Sequence, residues 1–242
     1  MPAAAKFKSP LFGRDVIVIV GGFGSGKSEV SVNLARHLVA TDSRPVALAD
    51  LDIVNPYFRS REASAGLATL GIKSLVPAGA YATADLPIII PEIKSAIQQP
   101  GGWLILDVGG DDIGATVLNS LSDAFTPGAY DLLFTLNAYR PATSNVEGTL
   151  KVMAEIERAG GLKFTGLIAN SHLIEQTTPE EILHGIDLAR QVSSRTGLPV
   201  VFVSAVDSVL ARIDAPRIPY PVLAMNRSLL KPWERSAPAG SN

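Results

Sequence analysis

Residues Gly21 to Ser28 read GGFGSGKS: four glycines, two hydroxyls and one lysine in eight positions. The spacing matches G-x-x-x-x-G-K-[ST], a loop built to hold phosphate. Glycines let the backbone turn tightly enough to aim successive N–H groups at one anion. A helix that begins at the lysine adds the positive end of its dipole. In this arrangement Lys27 reaches the β- and γ-phosphates and the Ser28 hydroxyl ligates Mg²⁺. Gly22, Gly24, Ser25, Gly26 and Glu29 complete the expected nucleotide-binding stretch.

Three carboxylates follow at places where they could act on such a ligand. PVALADLDIVNPYFRSRE puts Asp50 and Asp52 at the end of an apolar run, and WLILDVGGDD does the same for Asp107. A buried strand ending in aspartate is the way a P-loop protein delivers a carboxylate to the Mg²⁺ shell. Asp107 is therefore a candidate metal-shell residue beside Ser28; of Asp50 and Asp52, one could orient an attacking water while the other supports Mg²⁺ or its waters. Gly109 and Gly110 follow at once, so backbone N–H groups could approach a γ-phosphate and move when it leaves. Asp111 and Asp112 read as helix caps. Arg59 and Arg61 could clamp phosphate or face a partner, while Arg140, leaving the 131–137 run toward the same edge, is assigned no role. Asn170 ends the run FTGLIAN, where an amide can pair with a base edge. The sequence after it is N-S-H-L, without the aspartate of the guanine-reading N-K-x-D, so ATP is preferred to GTP. The three histidines form no metal-ligand pair by spacing.

Positioning these groups requires strands that end together. Six short runs rich in valine, isoleucine and leucine (16–20, 45–50, 103–109, 131–137, 164–170 and 199–205) lack polar alternation. They read as parallel strands covered on both faces. Helical patterns lie between them at 27–40, 143–159 and 178–195. The second opens with Ser144 and Glu147 at capping-box spacing, and the third with Thr178-Pro179-Glu180-Glu181. The expected fold is α/β, a mostly parallel central sheet with helices on both faces, of the P-loop NTPase type. One domain is expected over 14–231, with poorly ordered tails at 1–13 and 232–242.

Composition narrows the functions. A chain of 242 residues that is 47% hydrophobic and 18% charged can bury a large core. With no cysteine, disulfide, thiolate and cysteine-ligated cluster chemistry is excluded within it. The net charge of −2 and pI near 5.9 provide no overall attraction to nucleic acid or anionic membrane. No apolar run approaches the roughly 18 residues of a membrane span, and the start lacks a secretion signal. A soluble, cytoplasmic protein is expected.

GGFGSGKS, DLDIVNPYF, LILDVGG and GLIANSHL, in this order and spacing, resemble the MinD/ParA/CobQ superfamily of P-loop ATPases over about residues 15–210. The resemblance implies Mg-ATP binding and often a nucleotide-dependent homodimer. It assigns Lys27 and Ser28 to the phosphate loop, Asp52 to water orientation with Asp50 as its acidic neighbour, Asp107 to the Mg²⁺ shell, Gly110 to a second switch and Asn170 to adenine. Gly22 stands where many members carry a second lysine that reaches across the dimer. The implied function is an ATPase, slow without its partner, that uses switch motion to act on another protein. The alternative on the same fold is a small-molecule kinase or ATP-dependent ligase using Arg59, Arg61 and Arg140 on an anionic substrate.

Overall fold

In the strand β1 (Val16–Gly21) every residue is buried, yet its valines and isoleucines part company. Val16, Val18 and Val20 enter one core and Ile17 and Ile19 the other. Alternation of side chains across a strand makes this split automatic, and a strand apolar on both faces needs cover on both. The computed structural model describes residues 12–52, 66–75 and 91–226. The segment with Tyr57, Phe58, Arg59 and Arg61, and most of both expected tails, lie outside the described residues.

The remaining strands are β2 (Val46–Asp50), β3 (Ile72–Leu75), β4 (Trp103–Gly109), β5 (Tyr130–Leu136), β6 (Gly166–Ala169), β7 (Val200–Val206) and β8 (Val222–Met225). They form one sheet in the order β3-β2-β4-β1-β5-β6-β7-β8. Every pair of neighbours is parallel. The helices are α1 (Lys27–Thr41), α2 (Pro91–Gln98), α3 (Asp112–Leu121), α4 (Val146–Gly160), α5 (Pro179–Thr196) and the single turn α6 (Asp207–Leu210). Val30, Leu34 and Leu38 of α1 pack on the isoleucine face. Buried residues of α2, α3, α4 and α5 pack on the valine face.

All six strands expected from the apolar runs are present. The two that the apolar runs do not announce, β3 and β8, are the sheet's edges and only four residues long. The expected helix starts hold to within a few residues, with one change of cap. Asn145, not Ser144, caps α4 by accepting from the Gly148 N–H at 2.8 Å. Thr178 and Glu181 form the expected capping box on α5, and Asp111 caps α3 through the Gly114 N–H.

Phe12, expected in the N-terminal tail, is only 5% exposed. Its ring meets Trp103 edge-on at 6.0 Å and Phe202 at 6.4 Å. The core therefore begins before β1. Phe12→Ala should destabilise the protein by about 3–5 kcal/mol, the usual loss for a buried phenylalanine. Urea unfolding monitored by tryptophan fluorescence checks this, and a loss below about 1 kcal/mol would place Phe12 outside the core.

Candidate functional site

Strand β1 has β4 on one side and β5 on the other, although the chain visits β2 and β3 before β4. This is the point where strand order reverses, and ligands of open α/β sheets bind outside the carboxyl ends there. The loop 22–26 leaves β1 at that point and enters α1 through Gly26, whose φ of 84° is left-handed. A side chain is strained at that angle. Its Cβ would also collide with the Asn170 amide.

The same alternation that divides β1 directs the carboxylates. On β4, Trp103 and Ile105 face the α1 side, so Asp107 does too; on β2, Val46 and Leu48 bring Asp50 to the same face. Asp50 and Asp107 are register partners on adjacent strands. Asp52 lies just beyond β2, its N–H donating to Asp50 Oδ1 at 3.1 Å. Lys27, 8% exposed, closes the group with its Nζ 2.7 Å from Asp52 Oδ2. Lys27, Ser28, Asp50, Asp52 and Asp107 are thus all buried in one place beneath the loop.

Among the described residues, Lys27 contacts Asp52 directly and its charge also acts on Asp107. Burial works to lower the Lys27 pKa, but the charges of Asp107 and Asp52 and the hydrogen bond to Asp52 outweigh it and hold the pKa above the ordinary lysine value. Asp107 is fully buried and both of its carboxylate oxygens lack a well-formed hydrogen bond among the described residues. Burial and then the Asp50 charge push its pKa up to about 7, against the opposing pull of Lys27 and the nearby Ser28 hydroxyl. An orphaned buried carboxylate beside a serine hydroxyl suits a hard divalent cation. Among the described residues no three acidic or histidine side chains converge enough to hold a metal alone.

Gly110 packs against the loop: a Cβ there would collide with the Gly21 carbonyl oxygen. The glycine turn after Asp107 is therefore in direct contact with the start of the phosphate loop. Glu29 accepts from Asn33 Nδ2 at 3.1 Å, one turn along α1.

Asn170 has a role that the sequence does not reveal. Its Nδ2 donates to the Ser25 carbonyl at 2.8 Å, and its Oδ1 accepts from Ser204 Oγ at 2.9 Å. The amide holds the phosphate loop from outside. A strand-end asparagine in line with a glycine loop is the available signal, but it does not say which neighbour the amide meets. His172 lies against the same loop beside Gly26. Burial, then the Arg140 charge, lower its pKa to about 4, so it is neutral at pH 7. Arg140 lies against the loop at the same edge, its Nε donating to the Gly24 carbonyl.

No family model and no curated protein sequence matches the chain. Solved structures do. Chloroplast FtsY from Physcomitrella patens matches with a TM-score of 0.55 and 15% identity, over 89% of this chain and 68% of that one. FtsY from Thermotoga maritima gives 0.54 and 16%, over 85% and 66%. FlhF complexed with GMPPNP and Mg²⁺ gives 0.52 and 14%, over 84% and 70%. The signal recognition particle receptor FtsY from Elizabethkingia anophelis is matched over only 59% of its length. These likenesses establish the α/β fold of P-loop nucleotide-binding proteins. They are to FtsY and FlhF, so they do not single out the MinD/ParA/CobQ group that the motifs resemble.

The Asp107 environment makes stability depend on pH in a defined direction. Its folded pKa of about 7 lies above the ordinary aspartate value, about 3.9 in an unfolded chain. Between these values the folded protein holds the extra proton, so this contribution to stability falls as pH rises and is fully lost above about pH 7. Asp107→Asn removes the dependence. Without nucleotide or Mg²⁺, the variant's urea midpoint should gain on wild type from about pH 5 to 8. Parallel profiles would show that Asp107 is ionised throughout.

Proposed function

We propose that this chain binds a Mg²⁺–nucleoside triphosphate in the 21–28 loop, hydrolyses it, and uses the cycle to switch its hold on a protein partner. The observation that carries the reading is the convergence of Lys27, Asp52 and the orphaned Asp107 beneath a glycine loop at the sheet's switch point. Lys27 would leave Asp52 for the β- and γ-phosphates. Asp52, released, would orient the attacking water. Ser28 and Asp107, with Asp50 beside them, would hold Mg²⁺, which when bound neutralises charge on the transferring phosphate. The contact of Gly110 with Gly21 would report the loop's occupancy to α3.

A protein partner is supported by apolar surface at this edge. Phe23, on the loop itself, is 79% exposed, and Ile113, at the start of α3, is 45% exposed. A nucleotide-dependent homodimer would use the same edge. Nothing in the charge balance favours nucleic acid, and among the described residues no helix is long and apolar enough to cross a membrane.

For the base we place ATP first, because Leu173 occupies the position of the guanine-reading aspartate. GTP is the second reading, favoured by the guanine analogue in the FlhF complex. The kinase or ligase alternative loses one of its three candidate arginines, since Arg140 Nε is engaged by the loop.

Binding and turnover of Mg-ATP and Mg-GTP by wild type, Lys27→Ala and Asp52→Ala test the proposal. Lys27→Ala should weaken triphosphate binding at least tenfold, the scale of one charge-assisted hydrogen bond. Asp52→Ala should bind but turn over about 10²-fold more slowly. Competition between the two nucleotides decides the base, and absence of binding to either by wild type would end the reading.

A further inference from the structure

A loop that points N–H groups inward at an anion turns carbonyls outward, and each buried carbonyl needs a donor. Four are satisfied here in two different ways. Gly22 O accepts from the Ser25 N–H at 3.0 Å and Gly26 O from the Val30 N–H at 3.0 Å, both within the loop and its helix. The other two are held from outside. Ser25 O accepts from Asn170 Nδ2 at 2.8 Å, and Gly24 O from Arg140 Nε at 2.6 Å. The peptide joining Gly24 and Ser25 is therefore fixed at both ends, its carbonyl by Arg140 and its N–H by Gly22.

Arg140 is mounted for this. Asn137, fully buried at the end of β5, accepts from the Tyr139 N–H at 3.0 Å and from the His172 N–H at 3.3 Å, and donates to His172 O at 3.3 Å. One side chain thus joins the 137–143 loop to the loop after β6. The Arg140 backbone is tied on both sides, its N–H to Asn137 O at 3.2 Å and its carbonyl to the Thr143 N–H at 2.9 Å. Among the described residues it forms no ion pair. Its guanidinium donates to two backbone carbonyls, from Nε to Gly24 at 2.6 Å and from a terminal nitrogen to Tyr139 at 3.4 Å, and the shorter of these reaches the loop.

We propose that Arg140 is a positioning residue that holds the Gly24–Ser25 peptide, and with it the phosphate loop, in its anion-accepting shape before nucleotide arrives. The proposal rests on the nucleotide-binding reading above. A loop arranged in advance binds di- and triphosphate alike better, because ordering need not occur on binding. A residue that touches the γ-phosphate would instead favour the triphosphate alone.

Two measurements on Arg140→Met and Arg140→Lys test it. The first is hydrogen exchange in nucleotide-free protein. Arg140→Met should speed exchange of the 22–28 amides about tenfold or more while leaving the core of β1 and β4 unchanged, and Arg140→Lys should recover part of the protection. The second is affinity for Mg-ADP and Mg-ATP, or the guanine pair if that is the nucleotide bound. Arg140→Met should weaken both by a similar factor of about 10–100, with kcat within about threefold of wild type. Unchanged loop exchange would overturn the proposal, as would exchange raised equally throughout the protein. A loss confined to the triphosphate or to kcat would also overturn it. If wild type binds no nucleotide the functional reading falls, while the exchange measurement still decides what Arg140 does to the loop.

Discussion

Everything at this site depends on one fully buried carboxylate, that of Asp107. Lys27 is the cation placed among Asp50, Asp52 and Asp107, and it contacts one of them, Asp52, at 2.7 Å. Asp107 is left without a well-formed hydrogen bond in full burial. Such a group persists only where the surrounding structure enforces it, and such arrangements concentrate at functional sites. Adding a divalent cation and a polyphosphate would satisfy both halves together, the cation taking Asp107 and the phosphates taking Lys27.

The sheet fixes where that carboxylate lies. Parallel pairing sets Asp50 opposite Asp107 and Gly21 opposite Gly109. Strand alternation then sends both aspartates to the face carrying α1, whose first residues are Lys27 and Ser28. The close approach of Gly110 to the Gly21 carbonyl leaves no room for a side chain. The glycine turn before α3 therefore packs directly on the end of β1. On the other side, Arg140 and Asn170 hold two of the loop's carbonyls, and Asn137 ties together the segments that carry them. The phosphate loop is gripped from the β5–β6 side and touched by a glycine turn on the β4 side.

Much of this is legible in the sequence, for physical reasons that differ by element. The six central strands are apolar on both faces, so their runs are unbroken and visible. Strands β3 and β8 are short edges, and IKSL carries too little pattern to announce itself. The convergence of the glycine loop with the three aspartates can be read because apolar runs that end in aspartate bring those carboxylates to the same sheet edge as the loop after β1. The contacts of Arg140 and Asn170 cannot, since a polar residue after a strand has many possible neighbours and only the sheet order brings β5 beside β1 and β6 beside β5. Phe12 escapes detection because a single aromatic before β1 has no periodicity to mark it as core. Ser144 looks like the cap of α4 because Asn145, the next residue, serves equally well, and the dihedral angles that favour it are not written in the sequence.

The most direct test is a crystal structure with Mg²⁺ and a non-hydrolysable analogue of ATP, or of GTP if competition favours it. The account predicts phosphate oxygens on the 22–28 amides, Lys27 moved from Asp52 onto the β- and γ-phosphates, and Mg²⁺ on Ser28 with Asp107 in its shell. Nucleotide bound elsewhere, or Lys27 still paired with Asp52 in the complex, would contradict it.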